Sequence, residues 1–185
     1  SHSPQQVVKL LNNYLGGMSA VIMAHNGTVD EFIGDGILAI FGAPVSRPDD
    51  ARRATRCALA MQAAVHGINA RNREQGLPEI AIGIGLNTGV VVAGNIGSEQ
   101  RSKYGVVGHT VNLTARIESY TGAGEILASQ STVDEAGTGL ETGRSFSARP
   151  KGMAAEVLIH AITGLRGDDG ALPPGTAAGT EHGAP

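Results

Sequence analysis

Tryptophan is absent, and three phenylalanines and three tyrosines are the only aromatic residues in 185. A core must therefore be assembled from Val, Ile, Leu, Ala and Gly, whose small members let helices approach a sheet closely. Cysteine occurs once, at Cys57, which excludes an intrachain disulfide and a metal site built from cysteines. Set among alanines in a helical pattern, it reads as a small packing residue. Charge of neither sign dominates: 14 Lys and Arg stand against 17 Asp and Glu, a net charge of −3. That balance gives no sign of general nucleic-acid affinity. No apolar run approaches the roughly 20 residues of a membrane span, and no secretory signal is visible. These absences predict a soluble cytoplasmic domain, with any membrane anchor left to a longer parent chain.

What is present suffices for one core, with 41% hydrophobic and 17% charged residues. Ser3-Pro4-Gln5-Gln6 reads as a helix start, with Ser3 capping, Pro4 in the first turn and Gln6 closing a capping box. Val7, Leu10, Leu11, Tyr14, Met18, Val21 and Ile22 follow at helical spacing, and Gly27 reads as a stop. A hairpin is predicted from Thr28 to Phe41, broken by Gly42-Ala43-Pro44. Pro48-Asp49-Asp50 opens a long helix through Arg73, with Ala54, Cys57, Ala58, Met61, Val65 and Ile68 on one stripe and Gly76 and Pro78 ending it.

"EIAIGIGLNTGVVVAGNIG", residues 79 to 97, is β-rich with a turn near Asn87-Thr88-Gly89. Its glycines do not satisfy G-x-G-x-x-G and lie within strands, which rules out a dinucleotide fingerprint. A short strand at Tyr104 to Val107, a helix from about Thr110 to Tyr120, the strand "EILAS", a short helix near Ser131 and two strands around 140–147 and 156–163 complete the pattern. Beyond Gly164 the chain is rich in Gly and Pro with almost no large apolar residues, so 164–185 is expected to be a disordered tail and 1–163 the domain.

Within the hairpin, "DEFIGDGILAIF" (residues 30 to 41) carries Asp35-Gly36 between two apolar runs. Locally this is a turn signal, because both residues tolerate positive φ. A carboxylate placed to hold a metal is the alternative.

Three stretches bear on that choice: "GTVDEFIGDGILAIFGAP", "IGIGLNTGVVVAGNIGSEQRSKY" and "VVGHTVNLTARIES". In order and spacing they resemble the catalytic domain of class III adenylate/guanylate cyclases, over about Pro4 to Thr163. The resemblance implies an α+β fold with a ferredoxin-like β-α-β-β-α-β core and a C-terminal α/β extension. It also implies cyclisation of ATP or GTP, in which the ribose 3′-hydroxyl attacks the α-phosphate and pyrophosphate leaves, assisted by two Mg²⁺ or Mn²⁺ ions. Asp35 matches a metal ligand, so it is a turn residue and, by resemblance, a metal carboxylate. Asn112 and Arg116, an i, i+4 pair on one helix face, match the residues that orient the ribose and stabilise charge at the α-phosphate. Read alone, Arg116 would be a solvated charge and Asn112 a helix-start hydrogen bond. Lys151, in "RPKGMAAEV", falls near a triphosphate-contacting lysine; an exposed strand lysine is the plain reading. The family works as an antiparallel homodimer with shared sites, typically under an upstream sensor domain.

Two departures from the family pattern are visible. Its first strand carries a second metal aspartate and a phosphate loop, yet only Ser1-His2 precedes the first helix here; a fragment of a longer gene product, inactive alone, is the expectation. At the base-contacting positions stand Glu31, Gly105 and, beside the latter, Val106. Glu31 suits the N1–H and 2-amino group of guanine, and Gly105 offers no side chain, which tips the reading slightly to GTP. His109 stands where the family has Asp or Asn and reads as helix-start packing. The competing class is a non-catalytic dimerisation or regulatory module of the same fold. A cyclase that joins two GTP molecules fits "GDG" and "VNLTARIE" poorly.

Overall fold

A computed structural model of the chain describes residues 3–98, 101–150 and 155–166. The tail expected beyond Gly164 lies, from 167 on, outside the described residues, as does Lys151. The expected capping box is formed at the head of α1 (Pro4–Ala24): Gln6 N–H donates to Ser3 Oγ at 3.3 Å and Ser3 N–H to Gln6 Oε1 at 2.9 Å. The turn out of α1 is made by Asn26, at φ 56, rather than by Gly27. Among the described helices α1 alone is long and apolar enough to cross a membrane, with a mean hydropathy of 1.2. This revises the reading that no such run exists: α1 reaches that hydropathy although Gln, Asn and Lys interrupt its apolar residues. Here α1 packs on α2 (Asp50–Glu74): a Cβ at Gly17 would come within 2.8 Å of Ile68 Cδ1. Asn13 donates to Asn72 Oδ1 at 2.9 Å across the same seam.

Strands β1 (Thr28–Ile33) and β2 (Gly36–Ile40) form the antiparallel hairpin. Ile33 pairs with Gly36, so the tip is Gly34-Asp35 and not the Asp35-Gly36 expected; only Gly34 needs positive φ, at 63°. The register shifts between Val29 and Glu31, leaving Asp30 as a bulge. The hairpin is fastened to α2 by the buried Arg53. Its guanidinium donates to the carbonyls of His25 and Asn26 at 3.1 and 3.0 Å, pairs with Asp49 and Asp50, and lies over the Phe41 ring.

The second half is a four-stranded sheet in the order β3 (Ile84–Leu86), β6 (Ile126–Ser129), β8 (Val157–Leu165), β7 (Leu140–Ala148). Strand β3 runs parallel to β6 and the other pairs are antiparallel. β8 continues to Leu165, two residues beyond the expected domain end, because Leu165 pairs with Leu140. All four residues of β6 are buried, and alternation splits them between two cores. Ile126 and Ala128 meet Ala58 of α2; Leu127 meets Ile117 of α3 (His109–Glu118) on the other face. Short α4 (Gln130–Ala136) closes beside α2. A separate hairpin, β4 (Val92–Ser98) and β5 (Arg101–Val107), touches β1. β5 is three residues longer than expected because its pairing with β4 extends to Ser98↔Arg101.

The fold is of the expected α+β class, with α1, β1, β2, α2 and β3 in the order of the cyclase core. Among the described residues no strand precedes α1, and β2 and β3 belong to different sheets. Between them runs a trough, with a cavity of about 540 Å³ lined by Leu10, Leu11, Ile37, Leu38, Ile82 and Ile84. An adjoining cavity of about 220 Å³ reaches Phe41, Cys57 and Leu86.

Candidate active site

The hairpin tip delivers Asp35, exposed, to the mouth of the larger cavity, where Tyr14 and Glu118 also stand. Space beside the tip is open: a Cβ at Gly34 would meet nothing within 4 Å. No hydrogen bond or ion pair engages the Asp35 carboxylate among the described residues. Burial, with the negative charges of Asp35 and Glu118 adding to it, raises the Tyr14 hydroxyl above its ordinary pKa of 10.0. Among the described residues no three His, Cys, Asp or Glu gather closely enough to hold a metal. Asp35 fits as one oxygen ligand of a Mg²⁺-like ion that takes its other ligands from phosphates, water and further carboxylates.

Helix α3 starts after Gly108, at φ 140, with no side-chain cap. It turns Val111, Thr114, Ala115 and Glu118 toward the cavity and buries Ile117 in the core. Asn112 and Arg116 are exposed on a different face, together as their spacing required but outside the cavity that Asp35 lines. His109 is exposed at the head of α3 rather than packed, since the helix buries Ile117 near its other end and not its first turn. One chain thus holds Asp35 and the Asn112–Arg116 pair apart.

A third group of residues lies where β1 meets β5. The bulge at Asp30 aims both Asp30 and Glu31 at β5, where strict alternation would have sent them to opposite faces. Lys103 Nζ lies 3.0 Å from Glu31 Oε1. A Cβ on the buried Gly105 would sit 3.2 Å from Asp30 Oδ1. Val106 is buried next to it, at 7% exposure. Glu31 and Gly105 thus lie near one another through Lys103 and Asp30, whereas Val106 alternates to the other face of β5 and lines the smaller cavity. Asp30, Lys103 and Tyr14 were not foreseen. For Lys103 a signal existed, since it is two residues from Gly105 and shares its strand face.

A family model described as the adenylate and guanylate cyclase catalytic domain matches residues 1–153. The chain belongs to that family. The cyclase domain is 50% identical to the guanylyl cyclase Cya2, with a TM-score of 0.87 over 89% of this chain and 84% of that one. It is 31% identical to the adenylyl cyclase CyaB from P. aeruginosa, with a TM-score of 0.82 over 92% and 88% of the two chains. Adenylate cyclase 1 of Rhizobium meliloti (strain 1021) is 33% identical over 178 residues, 95% of this chain and 27% of that protein. The cyclase domain thus spans 27% or less of the length of the first such relatives.

Proposed function

We propose that this cyclase domain converts a purine nucleoside triphosphate to the 3′,5′-cyclic nucleotide and pyrophosphate, favouring GTP over ATP, as a homodimer with two shared sites. The observation that carries the reading is the orientation of α3, which turns Asn112 and Arg116 away from the cavity that Asp35 lines. In the reaction the ribose 3′-oxygen forms a bond to the α-phosphorus, its proton is lost, and the bond to the pyrophosphate oxygen breaks. Two divalent cations, Mg²⁺ or Mn²⁺, supply charge neutralisation on the phosphates when bound. Asp35 holds a cation from one subunit. From the other, Asn112 orients the ribose and the Arg116 fork meets charge growing on the α-phosphate. Glu31 accepts from the base edge.

The proposal includes a cytoplasmic location, where nucleoside triphosphates are abundant, and a sensor elsewhere in the parent chain. Residues 1–185 by themselves are expected to turn over little, because the trough beside Asp35 is open among the described residues. Mixing tests the shared site. Asp35→Ala and Arg116→Ala full chains are each expected to fall to about a tenth of wild type or less, at least 1.4 kcal/mol of barrier. Exchanged together they should regain about a quarter of wild-type turnover, since half the dimers are mixed and each has one intact site. Recovery absent despite demonstrated subunit exchange would disprove the shared arrangement. A wild-type full chain that dimerises without turning over either nucleotide would instead favour the non-catalytic module.

A further inference from the structure

We propose that Thr110 is a positioning residue for Asn112: its hydrogen bonds to the loop 87–90 fix the head of α3 and, with it, the ribose-orienting end of the site. The proposal rests on the cyclase reading and adds to it a residue outside the reacting groups. The two ends of α3 are held differently. Its far end is set by apolar packing, with Ile117 fully buried against Leu127 and Gly85 pressed on the Glu118 backbone. In its first turn no residue is buried, and no side chain caps it. Cavities of about 220 and 320 Å³ flank this end, and Thr110 lines both. Apolar contact leaves the head of α3 room to move, so hydrogen bonds decide where it sits.

Those bonds converge on Thr110. Asn87 Nδ2 donates to the Thr110 carbonyl at 3.0 Å, and Thr110 Oγ1 donates to the Val90 carbonyl at 2.6 Å. Thr114 Oγ1, one turn further on, donates to the same Thr110 carbonyl at 2.8 Å. Between the two loop ties stands Gly89, where a Cβ would come within 2.8 Å of Thr110 Oγ1. The loop is itself moored to the buried frame. Thr88 Oγ1 lies 3.0 Å from Oγ1 of Thr132, which is 1% exposed and 3.2 Å from Ser129 Oγ at the end of β6. Ser131 Oγ donates to the Thr88 carbonyl at 2.8 Å. Leverage makes this matter to the reaction. Ile117 stands about 10 Å along the axis from Thr110 and about 7.5 Å from Asn112, at about 1.5 Å per residue. A tilt about Ile117 that moves the head by about 1 Å shifts Asn112 by about 0.7 Å. Arg116, beside the pivot, stays in place. Misplacement on that scale is enough to cost about tenfold or more in rate.

The test combines steady-state kinetics of the full chain, with whichever of GTP and ATP wild type turns over, and hydrogen exchange along α3. Thr110→Val keeps the side-chain shape and removes the hydroxyl donor. It is expected to lower kcat about tenfold and leave KM within about twofold, the mark of an interaction lost in the transition state. Exchange should quicken at Asn112, in the first turn, and stay as in wild type at Ile117. Thr110→Ser restores the hydroxyl and should return kcat to within about twofold of wild type. Asn87→Ala cuts the other tie and should repeat the same split, whether or not Thr110→Val folds as well as wild type. If Thr110→Val and Asn87→Ala both keep kcat within about twofold, the positioning role is overturned. Exchange that quickens equally at Asn112 and Ile117 would overturn it too, since the bonds would then support the fold at large. So would a Thr110→Ser chain as slow as Thr110→Val, which would make the methyl and not the hydroxyl responsible. A wild type that turns over neither nucleotide, while exchange in the variants still quickens at Asn112 alone, would overturn the cyclase reading and leave the anchoring of α3 standing.

Discussion

Cys57 is 1% exposed, and burial pushes its thiol from 9.0 up to about 12. The folded state therefore favours the protonated form. That contribution to stability is complete below pH 9.0 and drains away as pH climbs toward about 12. Melting temperature is expected to drop over that window, and Cys57→Ala to flatten part of the decline. The same burial should keep native Cys57 inert to thiol reagents at neutral pH. Tyr14 follows the same sign, with its pKa raised above 10.0, first by burial and then by Asp35. Asp35→Asn should bring the Tyr14 titration down while burial still holds it above the ordinary value. Ultraviolet titration, with Tyr14→Phe to identify the transition, would read this. A Tyr14 titration unmoved by Asp35→Asn would show that the carboxylate does not face the cavity.

Helix α3 is set against β3 at a glycine. A Cβ on Gly85 would come 2.5 Å from the Glu118 backbone nitrogen, so nothing larger fits without shifting the helix. Gly85→Ala is expected to cost about 1–3 kcal/mol, the usual range for overpacking, read as a lower denaturant midpoint. Because α3 carries Asn112 and Arg116, turnover should fall further than stability explains. Unchanged stability would mean that the helix can back away freely. The elements that sequence made legible are those with local causes: the Ser3–Gln6 capping box, the α2 start after Pro48, and the β-hairpin around Gly34-Asp35. Arg53 was illegible because an arginine on a polar helix face reads as solvated, while its burial depends on carbonyls 27 and 28 residues upstream. The Asp30 bulge likewise has no local mark. It is fixed by the pairing of Val29 with Ala39 and Glu31 with Leu38.

The whole chain divides at the trough between β2 and β3. Resemblance gave Asp35 to one subunit's share of a site and Asn112 and Arg116 to the other's, but the α3 face that carries the pair is set by packing of Ile117 on Leu127, which no motif records. The trough has the same kind of cause. Among the described residues β2 offers an edge away from β1, β3 an edge away from β6, and apolar residues from α1, β2 and β3 line the space. Backbone groups on two such edges need partners, and apolar walls favour an extended segment that buries its own side chains. A β-α-β-β-α-β unit supplies that segment ahead of its first helix. Carrying an upstream strand with alternating apolar residues, the domain is therefore expected to melt cooperatively at a higher temperature than residues 1–185. Hydrogen exchange should slow specifically along β2 and β3. An aspartate at the end of that strand would add a second oxygen ligand beside Asp35, so turnover should rise with stability, and replacing only that aspartate should remove turnover while leaving the melting temperature in place. Equal melting and equal exchange with and without the added strand would show that the trough closes by some other means.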